Sequence, residues 1–268
     1  MLDRYSAPPI KEIEKLTFPE VDTCTLPNGI PFYVIDRGEE ELSRVDILFS
    51  AGKVQERQPL TAKLTAAMLR EGAGGLSSAR IAEQLDYYGA SLQTLATQRN
   101  TYITLYSANR YFFDLLPLLH TLVVNPDFPE KEFETLKNRN AQMLAVELDK
   151  VDVLAGRAFM EQLFGAGHPY GRTERLTDYD GVTTEHLREF HRLYYTARRC
   201  RIVLSGKISP EMREAVRAAF ADLPVGEIVN VPVAHLYSSN EHYRFVEKSG
   251  ALQSGIRIGN LVVGRDHP

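Results

Sequence analysis

The stretch VDTCTLPNGIPFYVIDRGEEELSRVDILFSAG, residues 21–52, decides the fold of this chain. It places two apolar runs, 21–26 and 30–36, on either side of a turn that contains Asn28-Gly29. An Asn-Gly pair between apolar runs is a strong signal of a β-hairpin, because both residues tolerate positive φ. The last part of the stretch alternates apolar and polar residues, which predicts a strand with one buried face formed by Val45, Ile47 and Phe49.

Downstream of this stretch the spacing of apolar residues changes from strand-like to helical and back. Apolar residues at helical spacing predict helices at about 60–71, 78–88, 110–123, 130–164, 184–195 and 210–224. Shorter apolar runs predict further strands at 91–97, 100–108 and 200–206. This order predicts an α+β fold, in which helices pack on one face of a mostly antiparallel sheet.

Composition and apolar periodicity divide the chain into four parts. Polar, proline-containing residues form an extended lead-in, a large domain follows, and a second proline-containing stretch without clear periodicity indicates a linker. Two apolar runs after it, 242–248 and 254–264, predict strands at the start of a truncated second domain. The predicted boundaries are 1–19 for the lead-in, 20–224 for the first domain, 225–241 for the linker and 242–268 for the second domain.

The composition is that of a globular protein. Of 268 residues, 44% are hydrophobic and 25% are charged, which excludes a disordered tail, a collagen-like fibre and a coiled-coil rod. The net charge of −4 argues against a large nucleic-acid footprint. No apolar run approaches the roughly 18 residues of a membrane span. These features favour a partner that is neither nucleic acid nor membrane.

The start of the chain and its cysteines bear on the compartment. Residues 1–16 contain no apolar core of the kind found in signal peptides, which predicts a cytoplasmic protein. A periplasmic or secreted protein whose signal peptide has been removed is the alternative. Cys24 and Cys200 are far apart in sequence and form no CxxC pair, so two free thiols are favoured over one long-range disulfide.

Several segments, taken in order, resemble the N-terminal half of the pitrilysin/insulinase zinc metallopeptidases, a family that includes the mitochondrial processing peptidase. The segments are TLPNGIPFYVI (25–35), SARIAEQLDYYGASL (78–92), HPYGRTERL (168–176), TTEHLREFHRLYYTARRCRIVLSGKIS (183–209) and QSGIRIGNLVVGRDHP (253–268). The likeness covers nearly the whole chain from about residue 20. It implies a processing-peptidase-like domain with a peptide-binding chamber.

The resemblance also implies where the catalytic residues of such an enzyme would lie. The family carries an inverted zinc motif, HxxEH, whose two histidines bind zinc and whose glutamate activates the metal-bound water. By the spacing to Gly72, the three positions fall on Lys63, Ala66 and Ala67. Residues 43–119 contain no histidine, so no other register restores the motif. The chain is therefore predicted to lack both the catalytic residues and a zinc cofactor.

One vestige of the metal site is identified further along. The third zinc ligand of the family is a glutamate some 75 to 85 residues downstream, and the resemblance places it on Glu147. A second family acid, seven residues earlier, falls on Asn140. A single carboxylate binds zinc negligibly, so a solvated helix residue is the favoured interpretation of Glu147. His186 and His191 are five residues apart and do not share a helix face, which argues against a substitute site there.

Three functions are compatible with these residues. The first is a non-catalytic family member, a regulatory or substrate-binding subunit that pairs with a homologous active chain or with itself and binds peptides. The second is an active zinc-dependent peptidase with a relocated metal site. The third is a purely structural subunit. The first is favoured, because the fold signals are intact whereas all three motif positions have changed.

Overall fold

The computed structural model describes residues 18–227 and 243–263, and all structural statements concern these residues. The strands are β1 Asp22–Thr25, β2 Pro31–Asp36, β3 Leu42–Phe49, β4 Gly72–Ala73, β5 Leu76–Ser77, β6 Ser91–Ala96, β7 Thr101–Ala108 and β8 Cys200–Gly206. The helices are α1 Thr61–Met68, α2 Ser78–Tyr87, α3 Phe112–Val124, α4 Glu130–Glu147, α5 Val151–Phe164, α6 Asp178–Gly181, α7 Thr184–Tyr194 and α8 Pro210–Ala219. In the described ranges, none of the helices has both the length and the apolar character that crossing a bilayer would require.

Six of the strands form one sheet in the order β1-β2-β8-β3-β7-β6. All neighbours are antiparallel except β2 and β8, which run parallel. The predicted hairpin is β1–β2, and its turn is tied to the end of α8 because the Asn28 side chain donates to the carbonyl oxygens of Phe220 (2.8 Å) and Leu223 (3.1 Å). The predicted α+β class with a mostly antiparallel sheet is confirmed.

A large apolar core lies between the sheet and the helices. Val45, Ile47 and Phe49 of β3 are at most 1% exposed and belong to this core, as the alternation in the sequence predicts. Their neighbours along the strand lie on the opposite face, where Arg44 remains half-exposed. Packing of this kind, with about 25 cal/mol gained per Å² of apolar surface removed from water, is what holds the helices on the sheet.

A second apolar cluster lies beside helix α1. It joins α1 to α4 and α7, and its members are Leu60, Leu64, Met68, Phe128, Phe133, Leu136, Leu144, Tyr179, Val182 and Leu187. Ala62 of the same helix and Leu69, which directly follows it, belong instead to the core under the sheet. Helix α1 is therefore buried on two sides, which fixes its position between the sheet and α4.

The single long helix predicted over 130–164 is wrong, because the structure has two helices there. Helix α4 ends at Glu147, and the N–H groups of Asp149 and Lys150 bond back to carbonyl oxygens in its last turn. Asp149 disfavours the helix interior, since its short polar side chain competes for backbone hydrogen bonds. The sequence interpretation also missed two small elements, the β4–β5 hairpin and helix α6.

The two strands predicted after the linker are not formed in the described part, residues 243–263. This segment instead lies against α5. Gly255 passes so close that a Cβ there would be 2.9 Å from the Val151 carbonyl oxygen, and Lys248 pairs with Asp149 at 2.5 Å. A strand needs a neighbour for its ladder, and this segment pairs with none of the described strands. The predicted lead-in and linker fall almost entirely on residues 1–17 and 228–242, outside the described ranges, so the domain boundaries stay predictions.

Candidate functional site: a charged cavity beside helix α1

A cavity of about 350 Å³ opens between the start of α1, the end of β6 and the loop that precedes α6. Apolar and polar residues line it, among them Ala62, Ala96, Thr97 and Gln98. Six of its lining residues are ionisable: Lys53, Glu56, Lys63, Arg172, Glu174 and Asp178. The cavity is therefore a charged site with equal numbers of cationic and acidic side chains.

Lys63 lies at the position that the resemblance assigns to the first zinc-binding histidine. Its Nζ donates to Glu174 Oε2 at 2.8 Å, and the Tyr179 hydroxyl lies 3.5 Å from both groups. Burial opposes the ammonium charge, but the hydrogen bond and the charge of Glu174 outweigh it, so the pKa of Lys63 is raised. The ammonium group is thus held in its charged form by a carboxylate.

A second ion pair joins the loop before α1 to the loop before α6. Arg172 Nη2 donates to Glu56 Oε2 at 2.6 Å, and the backbone N–H of Ala62 donates to Glu56 Oε1 at 2.9 Å. The Glu56 side chain is only 3% exposed. Burial raises its pKa to about 7, although the Ala62 hydrogen bond and the charges of Arg172 and Lys53 act in the opposite direction.

Close backbone packing holds Lys53 next to the residues that directly follow β6. Its N–H donates to the Thr97 carbonyl oxygen at 3.0 Å, and the N–H of Val54 donates to the Gln98 carbonyl oxygen at 2.9 Å. A Cβ on the preceding Gly52 would lie 2.4 Å from the carbonyl carbon of Arg99, so only glycine permits this approach. The chain segment that carries Lys53 is therefore fixed to the β6–β7 turn.

The remaining motif positions and the vestigial ligand lie around the same helix. Ala66 is 1% exposed, and Ala67 is half-buried and packs against the second cluster, as does Leu148. Glu147 is exposed at the last position of α4, next to Leu148. Asn140, one heptad earlier, donates to the Leu136 carbonyl oxygen at 2.8 Å.

These residues do not fit a zinc ion. A catalytic zinc site needs three donor side chains with an open fourth position, whereas positions 63, 66 and 67 supply one protonated amine and two methyl groups. The amine is already engaged by Glu174. Across residues 18–227 and 243–263, no group of three or more His, Cys, Asp and Glu side chains is arranged to hold a metal ion.

The two histidines of α7 have structural roles in the described part of the chain. The Nδ1 atom of His186 accepts a hydrogen bond from the N–H of Thr183 at 3.2 Å, within the cap of the helix. His191 is partly buried, and its Nε2 lies 2.8 Å from the Val123 carbonyl oxygen. Burial lowers the pKa of His191, which keeps the imidazole neutral.

Sequence reasoning identified Lys63 and missed its partners. Glu56, Arg172 and Glu174 come from two loops more than 110 residues apart, and no local periodicity links them. The signal that could have found two of them is the segment HPYGRTERL, since Arg172 and Glu174 lie within it. That segment carries the resemblance, and the structure brings it over the start of α1.

Comparisons with a family profile and with solved structures show which known proteins this chain is similar to. The family profile described as "Peptidase M16 inactive domain" matches residues 181–268. A crystal structure of a peptidase M16 inactive domain from Pseudomonas fluorescens superposes with a TM-score of 0.74 at 25% identity, over 82% of this chain and 54% of that one. A protease from Helicobacter pylori superposes with a TM-score of 0.73 at 16% identity, over the same shares of each chain. A comparison with the curated proteins found no match.

Over residues 181–268 the chain is similar to the inactive domain of the peptidase M16 family, and its fold is similar to that of the Pseudomonas fluorescens inactive domain. The resemblance to the peptidase family that the sequence predicts is thereby confirmed as a resemblance. The chain spans about half the length of the two solved structures. The matched profile covers the last third of the chain and does not include positions 63–67.

Proposed function

We propose that this chain is a non-catalytic M16 homologue that binds extended peptides, as a regulatory or substrate-binding subunit. The observation that carries the proposal is the Lys63–Glu174 ion pair, which lines an open cavity at a position that the resemblance assigns to a zinc ligand. A cavity that keeps its access but has no metal ligands is suited to binding a peptide rather than to hydrolysing it.

The free edge of the sheet supports peptide binding. Among the described strands, β6 pairs only with β7, and its Leu95 side chain is 60% exposed. The unpaired N–H and C=O groups of such an edge are a template for an added strand. Because Ala96, Thr97 and Gln98 at the end of β6 line the cavity, a peptide paired with β6 would be led directly into it.

The partner in this proposal is a homologous chain with an intact HxxEH motif, or a second copy of this chain. In the family that the sequence resembles, a degenerate chain commonly pairs with an active one, and the two enclose a peptide-binding chamber. In this proposal, this chain binds the peptide and its partner hydrolyses the peptide with a metal ion. The chain itself works without a metal cofactor.

The peptide-binding part of the proposal is tested with one extended peptide in two forms. Fluorescence anisotropy would measure the binding of a labelled hexapeptide rich in valine and threonine, and of the same peptide methylated on alternate backbone amides. We expect the first to bind and the second to bind at least tenfold more weakly, since methylation removes the donors that an edge strand needs. Equal binding of the two forms would contradict pairing with β6.

The non-catalytic part is tested on the same preparation. After dialysis against a chelator and then against zinc, elemental analysis should find far less than one zinc per chain, and the peptide should stay intact. Zinc at one equivalent with cleavage would support the active peptidase with a relocated metal site instead.

Pairing is tested by co-expression with a homologue that carries HxxEH. Co-elution of the two chains, and a gain in peptide turnover over the active chain alone, are the expected results. Co-elution without any change in turnover would favour the purely structural subunit.

A further inference from the structure

Three cations and three carboxylates line the cavity, but among the described residues Lys53 and Asp178 lie outside its ion pairs, and Asp178 instead accepts the N–H of Arg175 at 2.8 Å. Lys63 is paired with Glu174, and Arg172 is paired with Glu56. The Lys53 ammonium, in contrast, donates only to the backbone carbonyl oxygen of Arg172, and among the described residues it makes no ion pair with a carboxylate. Arg157 adds a fourth cation nearby, and its guanidinium also bonds to a backbone carbonyl, that of Glu174.

The surroundings of Lys53 oppose its charge. Burial first, and then the charges of Arg172 and Arg157, lower the pKa of Lys53, while Glu56 and Glu174 act in the opposite direction. Glu56 is itself a weak counter-charge, because burial raises its pKa to about 7. An anion placed at Lys53 would therefore relieve repulsion among cations that the fold already holds together.

A second polar group that lines the cavity is a hydrogen-bond acceptor without a donor. The side-chain oxygen Oε1 of Gln98 is buried and has no hydrogen-bond partner among the described residues. Gln98 lines the cavity, and its backbone is bonded to Val54, the residue after Lys53. A buried acceptor without a donor is unfavourable, and an N–H group of a ligand would satisfy it.

We propose that the cavity contains a subsite for a peptide carboxylate, in which Lys53 binds the carboxylate and Gln98 accepts a backbone N–H of the same peptide. An anion for Lys53 and a donor for Gln98 occur together in a peptide, whereas inorganic phosphate or acetate supplies only the first. The carboxylate comes from the C-terminus or from an acidic side chain, and both have the same chemistry at Lys53. This inference rests on the proposed peptide-binding function and names the ligand class of its site.

The test compares three forms of the edge-binding hexapeptide by anisotropy. One ends in a free carboxylate, one ends in an amide, and one ends in an amide but carries a single glutamate near the end that enters the cavity. The wild-type chain should bind at least one carboxylate form about tenfold more tightly than the neutral amide, as a charge-assisted hydrogen bond supplies. Which carboxylate form gains identifies the source of the group.

Variants of two lysines assign the preference to the site. Lys53→Met removes the charge but keeps the length of the side chain, and it should abolish the preference for the carboxylate over the amide. Lys53→Arg should keep part of the preference. The matched control is Lys131→Met on the exposed start of α4, which should change nothing. Circular dichroism confirms that each variant is folded.

The outcomes separate this inference from the function on which it rests. Equal binding of all three peptides by the wild-type chain, or a preference that survives Lys53→Met, would overturn the carboxylate subsite and leave peptide binding standing. Failure of every peptide to bind would overturn both together.

Discussion

Helix α1 has two faces that differ in what their residues do. On the buried face, Leu64 and Met68 are fully buried in the cluster that α1 shares with α4 and α7. On the cavity face, Lys63 stands where the resemblance places a metal ligand, and it forms an ion pair instead. The packing of the helix and the chemistry of the motif therefore depend on different residues, so the site can change while the fold is kept.

The largest expected effect comes from the buried face. Leu64→Ala removes a side chain that is 0% exposed, and it should lower the free energy of unfolding by about 3 kcal/mol, through lost burial and the cavity left behind. Urea unfolding followed by circular dichroism measures this. Leu95→Ala, the same change at an exposed position, is the control and should cost less than about 1 kcal/mol. Similar losses of unfolding free energy in Leu64→Ala and Leu95→Ala would contradict the claim that the buried face of α1 stabilises the fold.

The next effect concerns Glu56, which joins the cavity to the base of α1. Its pKa of about 7 in the folded chain lies above the ordinary value of 4.5, so the folded state keeps a proton that the unfolded state releases. The free energy of unfolding should therefore fall as the pH rises from about 4.5 to about 7, by about 3 kcal/mol at most from this group.

Urea unfolding at a series of pH values from 5 to 8 measures this dependence. Glu56→Gln should remove the part of the slope that this carboxyl contributes. Glu147→Gln, which neutralises an exposed carboxylate, should leave the slope unchanged. An unchanged slope in Glu56→Gln would show that Glu56 is not held protonated in the folded state.

Restoring the metal ligands tests whether the motif positions of the family correspond to residues 63, 66 and 67 of this chain. The double variant Lys63→His and Ala67→His supplies two imidazoles four residues apart on one helix face. Ala67 and Leu148 pack against the same cluster, and the resemblance places the third ligand on Glu147, the residue before Leu148. We expect zinc uptake to rise towards one equivalent, measured by calorimetry.

Two further variants sharpen that result. Adding Glu147→Gln to the double variant should reduce the affinity for zinc at least tenfold. The complete motif with Ala66→Glu should also bind about one equivalent of zinc, but with lower stability, because Ala66 is 1% exposed and a carboxylate there is costly to bury. Zinc uptake that is indifferent to Glu147 would show that the third ligand has been misplaced.

The smallest expected effect is that of removing the charge at position 63. The side chains of Lys63 and Glu174 are 40% and 31% exposed, so solvent screens their attraction. Lys63→Met should change the free energy of unfolding by less than about 1 kcal/mol, measured as for Leu64→Ala. A loss as large as that of Leu64→Ala would mean that the cavity face also determines the fold.

The strands and most of the helices were predictable, because their signals are local. The Asn28-Gly29 turn and the alternation of Val45, Ile47 and Phe49 each lie within a few residues and match the structure. The break after Glu147 was not predictable from apolar spacing, since Leu148 and Leu154 continue the helical pattern across it. The strands expected after residue 242 depend on a neighbouring strand, and in residues 243–263 they have none.

The sequence by itself determined the fold class, the resemblance to a peptidase family and the residues at positions 63, 66 and 67, because periodicity, motif order and residue identity can all be read along the chain. Only the tertiary structure decided what replaces the motif. It brought Glu174 to Lys63, buried Glu56 against Arg172, and left Lys53 without an ion pair to a carboxylate among the described residues. These contacts join segments far apart in sequence, and each depends on distance and burial, which a linear pattern does not contain.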